Sequence, residues 1–150
     1  MDYVELEKTS VECVKDIMKK EGLNQEEAVY EYLDRLEILL KRGDFGLNDY
    51  RNACLIFGYN YPKYMNKTYE KLRKKVIDVY CGKGLKELKK QGVSKQDAYD
   101  TAFWVNYGFF QNGAITLEEF DGVAWALGYP LSKKFFHLSE KEQKEKPLLE

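Results

Sequence analysis

Apolar residues recur at three- and four-residue intervals along most of the chain, and no stretch alternates strictly. The pattern therefore predicts helices, and no sheet beyond a two-residue bridge between loops. Residues 25–41 place Val29, Tyr32, Leu33, Leu36, Leu39 and Leu40 on one stripe. Asn24 with Glu27 reads as an N-cap and its capping-box partner, and Ser94 with Asp97 holds the same place further on. Gly22 and Gly92 stand where a preceding helix needs a left-handed terminator. Tight loops at Gly43-Asp44-Phe45-Gly46 and Asn112-Gly113-Ala114 lead into helices over 47–57 and 117–127. Gly58 and Gly128 end these helices, with Pro62 and Pro130 shortly after. A further helix is expected over about 63–80, with Tyr69, Leu72, Val76, Val79 and Tyr80 on one face. Cys81-Gly82-Lys83-Gly84 is expected to break it before a short helix runs to Lys90.

The elements repeat. Sliding the chain against itself by 70 residues aligns Lys19–Tyr59 with Lys89–Tyr129 without a gap. Eight identities result, among them Gly22/Gly92, Gly43/Gly113, Gly58/Gly128 and Tyr59/Tyr129. Apolar character persists where identity does not, as in Leu33/Phe103, Leu40/Phe110, Tyr50/Phe120 and Ala53/Val123. Self-similarity at a fixed offset is the mark of a duplicated unit. The expected fold is thus all-α, a single domain with two tandem helix-loop-helix repeats joined by a basic helix around one shared core. The first repeat covers about 1–62, the linking helix about 63–82, the second repeat about 83–138 and a mobile, charged tail 139–150. Leu149-Glu150 is expected to carry no structure.

Asn112 to Tyr129 (NGAITLEEFDGVAWALGY) resembles the second half of an EF-hand. It has a turn glycine (Gly113), an apolar residue two later (Ile115), then Thr116, an acid at the last loop position (Glu119), an aromatic (Phe120) and a helix ending in Leu-Gly. Trp104 and Tyr107 occupy apolar sites of the incoming helix, and Gly43, Phe45, Asp49 and Tyr50 extend the likeness weakly to the first repeat. The resemblance implies paired helix-loop-helix units. It does not carry the calcium chemistry over, because a calcium ion takes six to eight oxygens. The first, third and fifth positions of the second loop are Gly108, Phe110 and Asn112, and those of the first are Ile38, Leu40 and Arg42. The expectation is a turn kept without its ion, with no metal or cofactor; residual calcium binding is the alternative.

Composition narrows the function classes. The chain has 150 residues, 24 Lys plus Arg against 25 Asp plus Glu, and 33% charged residues, a globular composition rather than a disordered one. Three widely spaced cysteines (Cys13, Cys54, Cys81) read as reduced thiols. The acidic opening Met1–Glu5 has no apolar stretch and no run suffices to cross a bilayer, so the expectation is a cytoplasmic protein without a membrane partner. Catalytic patterns are missing: there is no GxSxG, HExxH, Walker loop or GxGxxG, and the one histidine, His137, lies near the end of the chain. The protein reads as a non-enzyme.

Charge is segregated along the chain. Residues 61–95 hold eleven Lys or Arg against three acids, whereas residues 1–50 hold seven against thirteen, and 96–128 hold five acids and no Lys or Arg. Five aromatics on one helix (Phe103, Trp104, Tyr107, Phe109, Phe110) exceed one narrow stripe; central burial is expected, with exposure to a partner as the alternative. The functional expectation is a regulatory or protein-binding protein acting through helical surfaces. Its candidate interaction residues are Lys63, Lys67, Lys71, Arg73, Lys74, Lys75, Trp104 and Tyr107. Nucleic-acid binding through the basic helix 63–90, with Tyr64 and Tyr69 for stacking, is the rival.

Overall fold

The computed structural model describes residues 1–58 and 67–149. Among them the chain is all-helical apart from one isolated antiparallel bridge between Leu131 and Leu149. It divides into two compact units, Met1–Thr68 and Tyr69–Glu150.

The first unit is three helices, α1 (Tyr3–Glu21), α2 (Gln25–Arg42) and α3 (Leu47–Ile56), each packed on the other two. Asp2 caps α1 by accepting the Glu5 amide at 3.0 Å, and Gly22 closes it in the left-handed region (φ 67°). Asn24 and Glu27 form the expected reciprocal box at the start of α2. The buried stripe of α1 is Tyr3, Leu6, Ser10, Val14 and Ile17; that of α2 is Ala28, Val29, Tyr32, Leu33, Leu36 and Leu40. The polar intruder Ser10 is matched, since its hydroxyl lies 2.8 Å from that of Tyr32. Every residue of α3 from Tyr50 to Ile56 is buried, including Arg51, whose Nη2 donates to Asn52 Oδ1 at 3.0 Å.

The second unit holds α4 (Lys67–Lys90), α5 (Lys95–Gln111), α6 (Leu117–Leu127) and two short helices, α7 (Lys133–Phe136) and α8 (Glu140–Glu145). Its centre is aromatic. Phe120 is fully buried, with ring centroids 5.7 Å from Phe103, 5.4 Å from Tyr107 and 5.3 Å from Phe110, the last nearly parallel. Phe135 adds to this cluster at 6.4 Å from Phe110.

Three expectations are corrected in this unit. The break at Cys81–Gly84 does not occur, and α4 is one continuous helix of 24 residues. An interior glycine costs a helix only about 1 kcal/mol, and α4 is tied down on both sides of its midpoint. Arg73 Nε donates to the Ala126 carbonyl (2.8 Å), the Tyr80 hydroxyl donates to Glu119 (2.7 Å), and Asn106 Nδ2 lies 3.5 Å from Cys81 Sγ. The charged stretch 139–146 is likewise no loose tail. Ser139 and Glu142 form a capping box for α8, and Gln143 is buried. Gln143 Nε2 donates to the Phe135 carbonyl at 3.0 Å, while its own carbonyl accepts the Tyr107 hydroxyl at 2.8 Å. Leu149, expected to be idle, joins the bridge to Leu131 beside the bond from Ser132 N to Leu148 O.

Helix ends recur at the spacing read from the sequence. Gly22, Gly43 and Gly58 have positive φ, and so do Gly92, Gly113 and Gly128, each seventy positions later. Alanine at such sites is strained because its Cβ crowds the backbone, which is why glycine stands at all six.

Candidate interaction surfaces

The described residues of the two surfaces anticipated from sequence lie on the second unit. The first is one arc of α5. A helix that packs along one side leaves the rest to solvent, and the residues left on α5 are large and apolar. Phe103, Asn106, Tyr107 and Phe110 turn inward with Ala98 and Ala102, whereas Trp104, Val105 and Phe109 are 52%, 48% and 43% exposed. Trp104 stands edge-on over buried rings, 5.2 Å from Phe103 and 6.0 Å from Tyr107. Central burial of the whole aromatic group is therefore corrected: Trp104 and Phe109 remain outside. Tyr107, read as a surface residue with Trp104, lies inside and spends its hydroxyl on the Gln143 carbonyl. Val105 and Phe109 join the surface in its place. At about 100° per residue Tyr107 sits roughly 60° round the helix from Trp104, on the side of the buried Phe103 and Phe110, and this carries it into the packed face. No Lys or Arg occurs from Gln96 to Ser132, and the exposed Asp97 and Asp100 lie toward the N-terminal end of the arc.

The second surface is the outer face of α4. Lys71, Lys74 and Lys75 are exposed as anticipated, and Lys83, Lys86, Lys89 and Lys90 with them. Arg73 is a correction. It is half-buried, bonded to the Ala126 carbonyl and 3.8 Å from Glu70, so it anchors α4 rather than meeting a partner. Lys63 and Tyr64 lie outside the described residues, and so do the side chains of Lys67 and Tyr69.

The loop from Asn112 to Glu119, whose residues resemble an EF-hand in sequence, bonds its polar groups within the fold. Glu119 Oε1 accepts the Thr116 amide (3.1 Å) in a capping box, and Oε2 accepts the Tyr80 hydroxyl (2.7 Å). Asn112 Oδ1 accepts the Ala114 amide at 3.0 Å. Among the described residues no three of His, Cys, Asp or Glu converge on one point. The Tyr80 hydroxyl, followed by the Thr116 amide, holds the Glu119 carboxyl below its usual range, and Glu119 in turn raises the Tyr80 phenol. A carboxyl lowered by folding adds stability at pH above its unfolded value. That stability is lost as pH falls through the folded value. Glu119→Gln is therefore expected to flatten the acid limb of the stability curve below about pH 4.5, the ordinary value of the group. Urea midpoints recorded from pH 3 to 7 check it, and an unchanged acid limb would show that the bond from Tyr80 is weak.

The Cys54 and Cys81 thiols are buried rather than activated. Burial pushes Cys54 up to about 12 and raises Cys81 as well. On the first unit, a shallow groove of about 590 Å³ lies between Val4, Lys8 and Val11 on α1 and Ile56 with Phe57 at the end of α3. No helix among the described residues is long and apolar enough to cross a membrane. No protein-family model matches the chain, and neither does any curated protein or solved structure.

Proposed function

We propose that this protein is a non-enzymatic docking module that binds another protein on the exposed arc of α5. One observation carries the reading: Trp104, Val105 and Phe109 are each about half exposed on a helix that buries Phe103, Asn106, Tyr107 and Phe110. A rigid aromatic anchor above a packed core is what interface hot spots are made of. The partner called for is apolar with a basic rim, since the only charges along this arc are Asp97 and Asp100. Support for a non-enzyme is chemical: the Cys54 and Cys81 thiols are held in their neutral form near pH 7, and His137 is exposed near the end of the chain. Three free cysteines suit the reducing cytoplasm.

We also read the two units as copies of one EF-hand-like helix-loop-helix unit whose loops no longer take calcium. The glycine pairs seventy residues apart and the engaged oxygens of Glu119 and Asn112 support this.

The test is a comparison of affinity captures from the native host, quantified by mass spectrometry, using the full chain and a Trp104→Ala/Phe109→Ala variant. The expected result is a discrete protein retained by the wild type and reduced at least tenfold by the variant, since losing a hot-spot aromatic costs about 2 kcal/mol or more. Far-UV dichroism should be unchanged, because both side chains are about half exposed and lie outside the packed interior. Equal retention by both chains would end the proposal.

A further inference from the structure

The lysine face of α4 carries a second inference, independent of the α5 reading. Seven lysines (Lys71, Lys74, Lys75, Lys83, Lys86, Lys89, Lys90) are exposed along this helix, with only Glu70, Asp78 and Glu87 among them. None of the seven takes part in an ion pair among the described residues; the acid nearest the basic run, Glu70, pairs instead with Arg73. The ridge is therefore not spent on neutralising its own helix. At 3.6 residues per turn, Lys71, Lys75, Lys86, Lys89 and Lys90 fall within an arc of about 100°, and they span roughly 30 Å at 1.5 Å per residue. The helix is unbroken along that length. The result is a continuous helix with one cationic edge.

We propose that this edge binds the phosphate backbone of a nucleic-acid duplex without reading its sequence. Duplex DNA carries one charge per about 1.7 Å of axis, so a rod of this length faces more phosphates than it has lysines. Lysine is a point charge that contacts phosphate, and this edge holds no Arg, Asn or Gln to read base edges. Two other polyanions fit less well. A membrane-surface helix needs an apolar face beside its basic one. The described apolar side chains of α4 are half-buried or buried, except Val79. Single strands call for exposed aromatics on which bases stack. The aromatic of α4 whose side chain is described, Tyr80, is half-buried and bonded to Glu119.

The experiment is fluorescence anisotropy of a labelled 20-base-pair DNA duplex with the full chain, from 50 to 200 mM salt. Five phosphate contacts predict a log–log slope of about −4.5, a loss of affinity of a few hundredfold across that range. Lys75→Gln/Lys86→Gln/Lys90→Gln should bring the slope to about −2, and the matching arginine substitutions should restore it. A control with the same charge change elsewhere, Lys8→Gln/Lys15→Gln/Lys141→Gln, should bind like the wild type. Unlabelled duplex should compete far better than polyglutamate, the single strand or phosphatidylserine vesicles. Absence of duplex binding overturns the proposal. So does a salt-independent affinity, an equal loss in the control variant, or equal competition by any of the three other polyanions.

Discussion

Replacing Phe120 by alanine is expected to destabilise the protein by about 3–5 kcal/mol, the range for truncating a buried aromatic. The ring is fully buried and touches three others at centroid distances of 5.3 to 5.7 Å, so its removal breaks three aromatic pairs at once. The space it leaves is walled by rigid rings that cannot easily collapse, which puts the cost toward the upper end. Phe120→Leu keeps most of the volume and should cost about 1.5 kcal/mol or less. Both tryptophans of the chain, Trp104 and Trp125, lie in this unit, so their fluorescence reports its unfolding in urea directly. A loss below about 1 kcal/mol for the alanine variant would mean that the aromatic centre is not close-packed.

The second large effect is expected at Phe135. This ring is also fully buried, and it packs against Phe110 and Phe136. Its backbone carbonyl accepts the Gln143 side chain, and Gln143 in turn accepts the Tyr107 hydroxyl. Phe135→Ala should therefore cost about 3–5 kcal/mol and also loosen the segment from Ser139 onward. Limited proteolysis separates the two consequences: the variant should be clipped between residues 139 and 148 under conditions in which Phe120→Leu is not. If both variants resist equally, the C-terminal helix is held by its own cap and not by Phe135.

Much of the fold was legible before any coordinates. The helices over 25–41 and 117–127, the caps at Asn24 and Ser94, and the left-handed glycines all depend on groups within four or five residues of one another. The failures had a common cause. Gly82 and Gly84 read as a break on local propensity alone, whereas the anchors from Arg73, Tyr80 and Cys81 reach residues far along the chain. The charged tail looked loose because nothing local announces that Gln143 will be bonded to Phe135 and Tyr107. Both surfaces are visible as anomalies, a basic run and an aromatic excess, and their membership in part: Lys71, Lys74, Lys75, Trp104 and the lysines from Lys83 to Lys90 are exposed as read. Arg73 and Tyr107 belong to the interior, while Val105 and Phe109 belong outside.

The sequence by itself determined the all-helical class, the positions of the turns and the seventy-residue recurrence, because hydrophobic period, capping and glycine conformation act over one turn of chain. Only the tertiary structure decided which arc of α5 meets solvent and which of the described lysines of α4 are exposed. A residue's exposure is set by what packs against it from distant sequence, and the same side chain serves as core or as surface according to that neighbour alone.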